Sequence, residues 1–134
     1  MIPMEEIALL LQQVAQGLKP FRTLEWDSGY HWRIMVEGYD ILIFDDGGEC
    51  DYVEWAVAPD GRRTTFDEWY DAAQPLWPVE NYNPTTRLEW LEGKKLFKPI
   101  DPIHLLSPAD HLALERIMDR ELRALVKELK CRND

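Results

Sequence analysis

The chain has 134 residues, 46% of them hydrophobic and 30% charged, a length that suits one domain burying roughly two thirds of the surface its unfolded form would expose. That composition excludes a disordered or collagen-like chain. Its 25 acidic against 15 basic residues give a formal net charge of −10, which disfavours counterion-release binding to nucleic acid or an anionic membrane and favours cationic partners.

Pro3, Glu5 and Glu6 suit a first helical turn, and Ile7, Leu10, Leu11, Val14 and Leu18 follow at helical spacing, so a helix is expected over 3–17. The apolar run Ile7–Leu11 is far shorter than the roughly 20 residues of a membrane span, and the first residues lack the basic region of a signal peptide. A cytoplasmic location without membrane attachment is the expectation. Cys50 and Cys131 are too few for a disulfide scaffold and read as free thiols, with a bridge between them left open.

After Pro20 the period changes to two. Tyr30, Trp32, Ile34 and Val36 alternate with polar neighbours, Tyr39–Phe44 is apolar on both faces, and 51–58 sets Val53, Trp55 and Val57 opposite Tyr52 and Glu54. The breaks between these runs are short, Glu37-Gly38 and Asp45–Glu49, so the strands pair antiparallel. Phe21–Trp26 supplies an edge strand, and Trp32 and Trp55 read as core. Pro59-Asp60-Gly61 is a turn at which the sheet is expected to end.

Thr65 and Glu68 have capping-box spacing and open a short helix through Ala73. Pro75, Pro78, Pro84 and Pro99 make 74–100 an irregular insertion, within which Thr86 and Glu89 could cap one turn. Ser107-Pro108-Ala109-Asp110 is a strong helix start, and the last helix is expected to reach about Lys130. Leu114, Met118, Leu122, Leu125 and Leu129 form its apolar stripe, fit to cover one face of the sheet.

The charge is local. Residues 25–71 hold 13 acidic and 3 basic side chains, the whole of the net −10, while the other segments cancel. The plain reading is solubility and protected sheet edges; the sharper one is a surface for a cationic partner. In the last helix Arg116, Arg120, Arg123, Lys127 and Lys130 follow at spacings of four and three, opposite the leucines. Like charges so spaced cost roughly 0.2–0.5 kcal/mol per pair in an isolated helix, and Asp119 is placed to offset one of them through Arg123.

No reaction motif is present. Asp45-Asp46-Gly47-Gly48-Glu49-Cys50-Asp51 is the densest carboxylate cluster, but it lacks EF-hand spacing and reads as a Gly-Gly hairpin with acidic flanks. His31, His104 and His111 have no zinc-ligand spacing, and His111 reads as a packed or capping residue. Carboxylates beside Cys50 disfavour a nucleophilic thiolate. Asp67 and Asp71, one turn apart, are better explained by capping and solvation than by acid and base work. No cofactor, metal site or catalytic residue is expected. Trp77, Tyr82 and Trp90 are candidate aromatic contacts in the insertion, near Lys94, Lys95 and Lys98.

The run Glu49–Arg62, with Cys50-Asp51-Tyr52 leading into Pro59-Asp60-Gly61-Arg62, and the later Asp101–Ser107 and Leu114-Glu115-Arg116 resemble a family of short bacterial proteins catalogued as a domain of unknown function. The resemblance spans most of 3–73 and 101–125. It brings no activity, cofactor or catalytic residue, and marks 74–100 and the basic end as additions.

The fold class expected is α+β in a single domain, 1–134: an N-terminal helix, a three- or four-stranded antiparallel meander, a short helix, an irregular insertion, and a long C-terminal helix packed on the sheet. The function expected is a non-enzymatic, acidic protein-binding module, an inhibitor or immunity-type protein that meets a basic protein partner, a toxin or a nucleic-acid-binding protein, by charge mimicry. Asp45, Asp46, Glu49, Asp51 and Glu54 are its expected contacts, with Trp77, Tyr82 and Trp90 as anchors, and no direct contact with nucleic acid. The alternatives are a divalent-cation-dependent hydrolase using the carboxylates of 45–54, and self-assembly, such as a homodimer, of acidic sheet on basic helix.

Overall fold

The computed structural model describes residues 1–27, 30–73, 86–93 and 99–132. Helix α1 (Met4–Ala15) precedes strands β1 (Arg22–Asp27), β2 (His31–Val36), β3 (Tyr39–Asp46), β4 (Glu49–Val57) and β5 (Arg63–Thr65). Helices α2 (Phe66–Ala73) and α3 (Arg87–Gly93), a 3₁₀ turn (Pro102–Leu105) and helix α4 (Pro108–Arg132) follow. The fold is α+β. Its sheet has five strands in the order β1-β2-β3-β4-β5, each antiparallel to the next. The edge strand read at 21–26 is therefore a full member, and the sheet continues past the 59–61 turn because Arg63–Thr65 folds back on Trp55–Val57.

Two hairpins have two-residue loops with both residues at positive φ, the form whose twist matches paired strands. Glu37 (φ 48°) and Gly38 (81°) join β2 to β3, and Gly47 (61°) and Gly48 (94°) join β3 to β4. Asp45 secures the second by accepting the Gly48 N–H at 2.7 Å.

One sheet face is buried under α1 and the first half of α4. Ile7, Leu10, Leu11 and Val14 of α1 and Leu114 and Met118 of α4 meet Trp32, Ile34, Val36, Ile41, Ile43 and Val53 there. Each fully buried aliphatic side chain contributes about 1.5–3 kcal/mol. Buried Trp69 of α2 donates from Nε1 to the Ile2 carbonyl at 2.8 Å, and the Ile2 N–H goes to Thr64 Oγ1, so the chain start is held to the β5–α2 junction.

Strand β4 departs from simple alternation. Its pairing with β3 shifts between Leu42 and Ile43 and again between Phe44 and Asp45, leaving Glu54 and Asp51 as extra residues on β4. Each such bulge reverses which face the following residues point to. Val53 and Ala56 are both buried in consequence, and Trp55 leaves the core for the opposite face. The expectation that Val53, Trp55 and Val57 share a side, with Trp55 in the core, is corrected by the bulge at Glu54, which lies between Val53 and Trp55.

Below β5 the edge of β4 is completed by side chains. The Cys50 N–H donates to Glu115 Oε2 at 2.8 Å, His111 Nε2 donates to the Cys50 carbonyl at 2.6 Å, and the Val53 N–H donates to Asp101 Oδ1 at 3.2 Å. Asp101 also caps the 3₁₀ turn through the Ile103 N–H at 2.8 Å. His111 is the packed histidine its position suggests, and no disulfide joins buried Cys50 to exposed Cys131.

The predicted helix starts hold. Thr65 and Glu68 exchange backbone-to-side-chain bonds of 3.3 and 3.4 Å, Ser107 Oγ accepts the Asp110 N–H at 3.1 Å, and Thr86 Oγ1 accepts the Glu89 N–H at 3.1 Å. That last cap opens α3, so the segment read as irregular contains a helix. The stripe of α4 covers the sheet only in part: Leu114 and Met118 are buried, whereas Leu129 is 57% exposed because the helix continues past the core. Among the described residues no helix is long and apolar enough to cross a membrane.

Candidate functional site

Neither long helix covers the other sheet face among the described residues, and aromatic side chains cross it. Tyr30 meets Phe44 at 6.4 Å between ring centroids, Phe44 stacks on Tyr52 at 4.9 Å, Tyr52 meets Phe66 at 4.5 Å, and Phe66 meets Tyr70 at 5.8 Å. Phe44 and Tyr52 are direct cross-strand partners, and Phe66 and Tyr70 lie one turn apart at the start of α2. Tyr30 is 59% exposed and the other four are half-buried. Tyr30 thus belongs to this row, not to the inward set of β2 that its parity suggested.

Carboxylates surround the row. The Tyr52 hydroxyl is pushed above its ordinary pKa, first by burial and then by the negative charges of Glu54, Asp51, Asp101 and Asp67. Glu54 Oε2 lies 2.8 Å from His31 Nε2, whose ring meets the edge of Phe44. Towards β1, Arg33 makes a two-pronged contact with Asp40, at 2.9 and 2.6 Å, reaches Glu25 at 3.0 Å, and lies 5.6 Å over the Trp55 ring. These bonds stabilise the charged guanidinium and occupy it with carboxylates. Glu25, Asp27, His31, Arg33, Leu42 and Trp55 line a hollow of about 430 Å³ beside the row.

The structure separates the residues singled out from sequence. Asp51 and Glu54 flank the aromatic row as half-buried bulge residues of β4. Asp46 and Glu49 close the Gly47-Gly48 hairpin at the sheet end, Asp46 exposed and Glu49 half-buried. Asp45 is 2% exposed and engaged with Gly48, so it holds the turn and offers little surface. Trp77 and Tyr82 lie outside the described residues, as do Lys94, Lys95 and Lys98; Trp90 falls on α3, with its side chain outside them. Among the described residues no three of His, Cys, Asp and Glu gather closely enough to hold a metal ion.

Sequence reading missed Phe44, Phe66 and Tyr70 as members of one surface. The available signal was the apolar character of β3 on both faces, read there as a mark of a central buried strand.

No curated protein and no solved structure matches the chain. A family model described as a domain of unknown function, DUF7693, matches residues 1–80, which take in α1, all five strands, α2 and the whole aromatic row. The resembling motifs at 101–125 fall outside that match. With more than half its length matched, the chain belongs to the DUF7693 family of unknown function.

Proposed function

We propose that this protein is a non-enzymatic binding module whose aromatic sheet face, which neither long helix covers among the described residues, docks a basic surface of another protein, as an inhibitor or immunity-type protein does. One observation carries the reading: five linked aromatic rings, left uncovered by the long helices, lie among carboxylates within a segment holding the entire net charge. Aromatic rings supply contact area at low entropic cost and attract guanidinium or ammonium groups over their faces. The surrounding carboxylates steer such a partner and set its orientation. The chemistry favoured is a partner surface of arginine or lysine set among apolar side chains. The exposed thiol of Cys131 fits a reducing compartment, which makes the cytoplasm the location we infer.

The test is calorimetric titration with an amphipathic arginine–leucine peptide at several salt concentrations. The reading expects affinity that falls with salt and drops at least several-fold in Glu54→Gln/Asp67→Asn, with little change in Asp46→Asn. A stronger effect from Asp46 than from Glu54 and Asp67 would move the site to the hairpin and overturn the reading.

A further inference from the structure

Strand β1 ends the sheet, with β2 as its one neighbour in the strand order. Among the described residues the backbone of 22–26 makes no hydrogen bond beyond those to β2, whereas the edge of β4 below β5 is completed by Glu115, His111 and Asp101. Pairing with β2 fixes how the side chains of β1 face. Thr23 and Trp26 stand opposite buried Ile34 and Trp32 and share the core side, while Arg22, Glu25 and Asp27 stand opposite Met35, Arg33 and His31 on the aromatic side. Leu24 is the extra residue of a bulge, and Arg22, Glu25 and Asp27 are exposed. Natural sheets blunt their edges with charge and bulges, and β1 has both. Its charges, however, are of both signs and are placed so that an antiparallel copy of the same strand matches them.

We infer that β1 of one copy pairs antiparallel with β1 of a second copy about a two-fold axis, joining two five-stranded sheets edge to edge. In the register that uses all six residues, Arg22 lies opposite Asp27 of the second copy, Thr23 opposite its Trp26, and Leu24 opposite its Glu25. The two-fold repeats each match in reverse. Arg22 and Asp27 then meet on the aromatic side and Thr23 and Trp26 on the core side, as the pleat requires. The bulged Leu24-Glu25 step of one strand faces that of the other, so the register passes through it. Two Arg22–Asp27 pairs result, and the two Glu25 carboxylates near the axis are each bound by Arg33 of their own chain at 3.0 Å. Sliding the strands by two residues would set Arg22 against Glu25 instead, but would bring Asp27 opposite Pro20, which has no N–H to give. The contact runs along the sheet edge and does not depend on what the aromatic row binds.

Sedimentation analysis of the full chain over a range of concentrations tests this. The wild type is expected to pass from monomer to dimer and no further, because a two-fold contact closes on itself. Arg22→Asp and Asp27→Arg, each verified as folded by circular dichroism, should each dimerise at least several-fold more weakly, since like charges then stand opposite one another. Their equimolar mixture should recover the dimer, and so should the double variant Arg22→Asp/Asp27→Arg, which swaps the two charges. Amide hydrogen exchange in β1 should slow as the wild-type concentration rises. A wild type that stays monomeric at millimolar concentration, single variants that dimerise as well as the wild type, or a mixture and a swap that both fail to recover would overturn the inference. Dimerisation untouched by either reversal but lost in Glu54→Gln/Asp67→Asn would place the contact on the aromatic face and overturn it as well. A chain that stays monomeric yet binds the arginine–leucine peptide would end this inference and leave the proposed function standing.

Discussion

Phe44 and Tyr52 stack across β3 and β4 with ring centroids 4.9 Å apart and planes 10° from parallel. The pair sits between the two bulges of β4, which turn Val53 and Ala56 inward and Tyr52 and Trp55 outward. The same irregularity thus completes the core on one side and builds the aromatic surface on the other. Cross-strand aromatic pairs contribute roughly 0.2–1 kcal/mol relative to alanine pairs, so this stack can serve binding without being indispensable to the fold.

The negative potential around Tyr52 is open to direct measurement. In spectrophotometric alkaline titration Tyr52 and Tyr39 should ionise above the ordinary value of 10.0. Tyr52→Phe should remove one of them. Glu54→Gln/Asp51→Asn should bring the Tyr52 transition down while leaving Tyr39, whose shift comes first from its bond to Glu6, in place. No movement on neutralising those carboxylates would contradict the electrostatic description of the face.

The clamp of α4 on β4 predicts unequal costs for two substitutions at one residue. Glu115→Ala leaves the buried Cys50 N–H without this acceptor and should destabilise by about 1–3 kcal/mol in urea unfolding. Glu115→Gln keeps an acceptor oxygen and should lose distinctly less. Equal losses would show that the carboxylate acts by charge alone.

The two hairpin loops separate conformational strain from crowding. A Cβ on Gly47 meets nothing within 4 Å, so Gly47→Ala should cost on the order of 1 kcal/mol for its left-handed backbone alone. A Cβ on Gly38 would stand 3.0 Å from Pro59 Cγ in addition, so Gly38→Ala should lower the melting temperature further. The reverse order would contradict the packing of the β2–β3 loop against the 59–61 turn.

A third relationship ties stability to acidity. Glu6 on α1 accepts two bonds from Arg62, at 3.0 and 2.7 Å, and the Tyr39 hydroxyl, and these hold its carboxyl below the ordinary 4.5. A depressed folded-state pKa stabilises at neutral pH, and that contribution is lost as pH falls from about 4.5 through the folded value. Denaturation midpoints should therefore fall less steeply below pH 5 in Glu6→Gln than in the wild type, and the two should converge in strong acid. Parallel curves would remove Glu6 from the account.

Much of this architecture is legible in the residue order, and the exceptions have specific causes. Helix starts at Thr65 and Ser107 and turns at Glu37-Gly38 and Gly47-Gly48 depend on neighbours within four residues, so local chemistry is enough to place them. The side on which Trp55 lies depends on bulges that arise only when β4 pairs with β3, and no local pattern carries that information. Asp45 reads as one of a row of equivalent acids until the hairpin closes and its carboxylate turns to the Gly48 N–H. The localisation of charge to 25–71 was visible from composition by segment; which of those acids border an aromatic surface required the sheet.

The central claim is that the aromatic sheet face recognises a basic partner through its rings and carboxylates together. An amide-resolved NMR titration with the arginine–leucine peptide, alongside oligolysine of equal charge, tests it most directly. The account predicts saturable shifts centred on Phe44, Tyr52, Glu54, Trp55 and Phe66 for the amphipathic peptide, and much weaker binding of oligolysine. Equal, unsaturated shifts spread over all the exposed acids with both peptides, or shifts confined to Asp46 and Glu49, would contradict it.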